Sequence, residues 1–100
     1  MLEKNFKLIV QRDLKKLPNI WVLKTNERGR AGVPDLIVCW EGNFIAIELK
    51  RSQSVLATQL QLEVISRIRA AGGLGFVATP EQWPGQLEAM KLMLGEANKK

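Results

Sequence analysis

The chain has 100 residues and a net charge of +5, and its 46% hydrophobic and 25% charged content fits one folded domain with a small core. It has no His, no Tyr and one Cys. That excludes His-based triads, dyads and general bases, the usual zinc sites, a tyrosine nucleophile and an intrachain disulfide.

Leu2 to Leu17 carries apolar residues at Leu2, Phe6, Ile9, Val10, Leu14 and Leu17, which is helical spacing. Lys4, Lys7, Arg12, Lys15 and Lys16 fall on the remaining faces. Pro18-Asn19 ends this helix, and Ile20 to Lys24 reads as a strand. Asn26 to Gly32 is a basic, Gly-containing loop. Asp35 to Trp40 and Phe44 to Lys50 are apolar strands joined by the turn residues Glu41-Gly42-Asn43. They predict a central antiparallel hairpin covered on both faces. Thr58 and Gln61 have capping-box spacing and open a helix that runs to about Ala71. Gly72-Gly73 stops it, and Leu74 to Ala78 is a fourth strand. Thr79 and Pro80 read as the start of a last helix, interrupted at Pro84-Gly85 and resumed from Gln86 to Leu94. The order is αβββαβα, an α/β layer structure with a mixed four-stranded sheet flanked by helices, expected to be one domain over residues 1–100.

Two acids break the apolar strands. Alternation in the third strand puts Phe44, Ala46, Glu48 and Lys50 on one face. In an antiparallel hairpin the start of one strand lies beside the end of the next, so Asp35 is expected near Glu48 and Lys50. Two carboxylates can hold Mg²⁺ through oxygen, and a nearby Lys can orient water or stabilise developing negative charge. No His is needed.

Gly32-Val33-Pro34-Asp35, then Glu48-Leu49-Lys50, then Gln61 in the following helix resembles the PD-(D/E)xK nuclease pattern. More closely, the set resembles the VRR-NUC family of virus-type replication and repair nucleases. A Glu-x-Lys triplet alone is common; the ordered set, spanning Glu3 to about Ala78, is far more specific. The resemblance implies a restriction-endonuclease-like core, without the extra domain of larger members. It implies Mg²⁺ or Mn²⁺ held by Asp35, Glu48 and the main-chain carbonyl of Leu49, Lys50 as catalytic lysine, and Gln61 beside the site. Glu3 resembles the family's N-terminal acid and is a candidate further ligand.

Each residue also has a plainer reading. Asp35 suits a turn after Pro, Glu48 and Lys50 suit a solvated strand end, and Gln61 suits the capping box. Glu3 suits the helix dipole and pairing with Lys7. Trp21, Trp40 and Trp83 read as core or interface anchors, and Cys39 as a buried small hydrophobe. Gly72 to Gly75 is a helix stop and not a nucleotide loop, so no nucleotide cofactor is expected.

The positive charge has a location. Residues 1–33 hold eight Lys or Arg against three acids, and the rest of the chain is neutral. Lys24, Arg28 and Arg30 flank the approach to Asp35 and are candidate contacts to DNA phosphates. The expectation is a metal-dependent endonuclease for branched DNA such as Holliday junctions, acting as a homodimer. A flap- or nick-directed nuclease, a non-cutting DNA- or protein-binding module, and a dimer subunit of a repair assembly are the alternatives. The expected setting is the cytoplasm of a bacterial or phage-infected cell, with no membrane partner.

Overall fold

The computed structural model describes residues 2–25 and 31–96. The elements are α1 (Glu3–Lys15), β1 (Trp21–Lys24), β2 (Leu36–Trp40), β3 (Asn43–Leu49), α2 (Gln59–Ala70), β4 (Leu74–Ala78) and α3 (Trp83–Met90). α3 continues as a wider π-type helical segment, Lys91–Glu96. The strands form one four-stranded sheet in the order β1-β2-β3-β4. The first two pairings are antiparallel and β3–β4 is parallel. α2 supplies the crossover that a parallel pair needs.

The β2–β3 turn is Glu41-Gly42, both at positive φ (52° and 77°), joining the paired ends Trp40 and Asn43. Positive φ at both central residues matches the twist of a tight hairpin. Asn43 Nδ2 donates to the Glu41 carbonyl at 2.9 Å and closes the turn.

One face of the sheet carries the core. Leu36, Val38 and Trp40 of β2 and Ile45, Ile47 and Leu49 of β3 pack with Phe6, Val10 and Leu14 of α1 and with Trp83 and Met90 of α3. Two tryptophans tie the layers with their ring N–H groups. Trp40 donates to the Pro18 carbonyl, and Trp83 donates to Asp13 Oδ2, both at 3.0 Å. The aromatic body is buried while its one donor is satisfied.

α2 packs on the opposite face, over β3 and β4. It approaches closely because Gly73 and Gly75 have no side chain. A Cβ at Gly73 would come within 2.9 Å of Ile68, and one at Gly75 within 3.2 Å of Ile65. α2 does not extend over β1 and β2. That face keeps Trp21, Leu23 and Phe44 about half exposed (55%, 46% and 46%). Cys39, paired with Trp21 and Phe44 in register, is exposed as well.

These observations correct five expectations. β2 is covered on one face and not two, because α2 follows the crossover to β4. Cys39 is therefore exposed instead of buried, and Trp21 is not a core anchor. Pro84 does not interrupt the last helix; it sits in the first turn of α3, where no N–H is missed. Lys7 is not on a solvated face: it is buried, at 9% exposure.

Candidate active site

The open end of the β2–β3 hairpin gathers side chains from four places in the chain. Asp35 stands just before β2, Glu48 lies in β3, and Lys50 follows β3. α1 and α2 contribute Lys7 and Gln61 from either side of the sheet.

Asp35 is fixed at both its backbone and its carboxylate. The backbone N–H of Leu49 donates to Asp35 Oδ2 at 2.8 Å. The Lys7 ammonium lies 3.9 Å from Oδ1. Thr25, just after β1, clamps the approach: its hydroxyl donates to the Pro34 carbonyl at 2.7 Å, and its N–H donates to the Asp35 carbonyl at 2.9 Å. Gly32 explains why a glycine precedes this segment. Its φ is +84°, and a Cβ there would lie 2.8 Å from Leu60 Cγ of α2.

Glu48 is the deepest charged group of the site, at 3% exposure. Strand alternation puts it on the α2 face. Its Oε2 accepts from Gln61 Nε2 at 2.9 Å and lies 3.5 Å from the Lys50 ammonium. Its Oε1 is buried and has no hydrogen-bond donor. Burial first, then the Asp35 carboxylate, raises the Glu48 pKa from 4.5 to about 7, with Lys50 partly opposing. Two carboxylates side by side, one with a bare buried oxygen, form an arrangement that a cation stabilises.

Gln61 performs two tasks at once. Its Oε1 accepts from the Thr58 N–H at 2.8 Å while Thr58 Oγ1 accepts from the Gln61 N–H at 3.1 Å, so the capping box is complete. Its Nε2 is thereby aimed at Glu48. The capping and site readings of this residue are compatible.

Among the described residues, no group of three His, Cys, Asp or Glu side chains converges as a metal site. Glu3 is exposed at the start of α1 and does not join Asp35 and Glu48 in such a set. From α1 it is Lys7 whose side chain lies beside Asp35. The donors present are carboxylate oxygens, which suit a hard divalent cation, and the donorless Glu48 Oε1 fits one. Asp35 and Glu48 are the side chains that would hold it.

Lys24 is exposed at the end of β1, next to the Thr25 clamp. Arg28 and Arg30 lie outside the described residues. Beyond Lys50, the residues Arg51, Ser52 and Ser54 line an open polar cavity of about 710 Å³ with Leu2 and Asn5.

Two solved structures share this arrangement of elements. One, described as a VRR_NUC domain, superposes with a TM-score of 0.74 at 26% sequence identity, over 86% of this chain and 94% of that one. The second, a VRR_NUC domain protein, gives 0.74 at 20% identity, over 94% and 90% of the two chains. The chain is similar in fold to VRR_NUC domains. No family model matches the sequence, and no curated protein matches it. The similarity therefore lives in the fold more than in overall sequence.

Sequence reasoning missed Lys7 and Thr25. Lys7 had a signal: it stands three residues before Val10 and seven before Leu14, on the buried stripe of α1. A lysine at such a position points to a partner in the interior. Thr25 had none, because its role depends on where the chain returns nine residues later.

Proposed function

We propose that this VRR-NUC-like domain is a Mg²⁺- or Mn²⁺-dependent endodeoxyribonuclease, hydrolysing phosphodiester bonds at the cleft of Asp35, Glu48 and Lys50. The observation that carries the reading is the nearness of Asp35 to Glu48, one of whose oxygens is buried with no donor, with Lys50 beside Glu48 and Lys7 beside Asp35. A divalent ion in such a cleft supplies Lewis acidity toward the scissile phosphate and acidifies water.

The chain's own residues do the rest. Asp35 and Glu48, with the main-chain carbonyl of Leu49, would hold the ion. The Leu49 N–H fixes one Asp35 oxygen and Gln61 fixes one Glu48 oxygen, which leaves Asp35 Oδ1 beside Lys7 and Glu48 Oε1 without a donor. Lys50 stays within 3.5 Å of Glu48, where its ammonium can orient the attacking water or neutralise charge gathering on the phosphate. No side chain is needed as covalent nucleophile, which agrees with the absence of His and Tyr. Lys24, with Arg28 and Arg30, contacts backbone phosphates and reads no sequence.

The substrate we propose is branched DNA such as a Holliday junction, cut by a homodimer. Support for the second copy is the half-exposed apolar face of Trp21, Leu23 and Phe44 on β1 and β3.

The test is cleavage of four-way junction, flap, nicked and linear duplex DNA in Mg²⁺ or Mn²⁺ by wild type, Asp35→Ala and Lys50→Ala. Metal-dependent cutting of the junction by wild type alone supports the proposal. Preference for the flap or nick reassigns the substrate. Salt-sensitive binding with no turnover would make the domain a binding module.

A further inference from the structure

Of the Lys and Arg residues in α1, Lys7 alone is buried. Its ammonium lies 3.9 Å from Asp35 Oδ1, and the two side chains are 11% and 21% exposed. At that separation the contact is an ion pair and not a direct hydrogen bond. Burying a lysine for such a contact is a poor route to stability, since an apolar residue on the same stripe of α1 would pack without desolvation cost. What the lysine adds is charge at a chosen place.

The charges of the cleft can be counted. Among the described residues, Asp35 and Glu48 are the two acids, and Lys7 and Lys50 are the cations that lie within ion-pair distance of them. With all four ionised the cleft is neutral, and a divalent cation makes it doubly positive. Without Lys7 it would begin at one negative charge and end at one positive charge. The lysine therefore works against cation uptake and in favour of holding an anionic phosphodiester once the cation is bound.

We propose that Lys7 is a charge-setting positioning residue of this cleft, holding Asp35 from the α1 side and trading metal affinity for affinity toward the DNA phosphate. This rests on the nuclease reading above. It predicts a sign that a structural role does not share. Removing a cation from beside a metal ligand relieves repulsion, so the neutral variant should take up metal more tightly. A merely structural lysine, once lost, would leave Asp35 less ordered and metal binding weaker or unchanged.

The experiment is calorimetric titration of the full chain with MnCl₂ at pH 8.5, without DNA, for wild type, Lys7→Met and Lys7→Arg. Lys7→Met should bind Mn²⁺ on the order of tenfold more tightly than wild type, and Lys7→Arg should match wild type. In CaCl₂, Lys7→Met should bind a fluorescent four-way junction several-fold more weakly, on the order of one charge in a phosphate contact. Lys7→Gln, neutral but polar, carries the same expected sign if methionine impairs folding. Unchanged or weaker Mn²⁺ binding by both neutral variants overturns the proposal for Lys7 while leaving the metal site standing. No Mn²⁺ binding by wild type itself overturns the metal reading and this inference together.

Discussion

The two ends of the β2–β3 hairpin are built on opposite principles. At the closed end, Glu41-Gly42 turns the chain through two positive-φ residues, and the contacts that close it come from the next residue along. At the open end, Asp35 is held by Leu49, Thr25 and Lys7, and Glu48 by Gln61 and Lys50. The closed end is local and replaceable. The open end exists only when α1, the sheet and α2 have all docked, and it buries Glu48 near the Asp35 carboxylate at a cost that shows as a raised Glu48 pKa. A cost of that kind marks a place kept for chemistry.

Damage at the two ends should therefore differ in kind. The largest effect is expected at the open end. Lys50→Ala should lower the cleavage rate by about 10²–10³-fold or more, with a thermal midpoint close to wild type. Single-turnover cleavage and circular dichroism melts together check this.

Next in size is pH. The folded-state pKa of Glu48, about 7, lies above its usual 4.5, so the folded chain holds a proton that the unfolded chain has released. Stability is then full below about pH 4.5 and falls as pH rises through 7, by about 3 kcal/mol in all. Glu48→Gln should remove most of this slope in urea melts between pH 5 and 8. Divalent metal should flatten the slope in wild type, and its uptake below pH 7 should release protons.

Gln61 permits a finer cut. Gln61→Glu keeps the acceptor that caps Thr58 but loses the donor to Glu48 and adds a negative charge there. Helix stability should change by less than about 1 kcal/mol from the cap itself, while the Glu48 pKa rises further and cleavage falls several-fold at neutral pH. Rate against pH for the two forms reads the difference.

The smallest effect belongs to the closed end. Gly42→Ala meets no neighbouring atom but keeps a φ of +77°, so it should cost about 1 kcal/mol and leave the cleavage rate unchanged. Loss of activity there would break the contrast between the two ends.

The same contrast explains what could be read from the sequence. Glu41-Gly42, the Thr58–Gln61 box and the alternation of Glu48 with Lys50 are signals confined to a few neighbouring residues, and each one formed as expected. Pro84 was misjudged because a proline reads as a break until the helix start is known. Cys39 and Trp21 were misplaced because coverage of the β1–β2 face depends on where α2 comes to rest, which strand composition does not encode. Glu3 and Lys7 show the difficulty most sharply. Both sit in α1, one turn apart, and only the docking angle of the helix decides which one reaches Asp35.

A crystal soaked in Mn²⁺ tests the proposed centre most directly. The expected result is an anomalous peak bridging an Asp35 oxygen and Glu48 Oε1, with metal–oxygen distances of about 2.1–2.3 Å. Full Mn²⁺ occupancy elsewhere, with Glu48 Oε1 still without a partner, would contradict it.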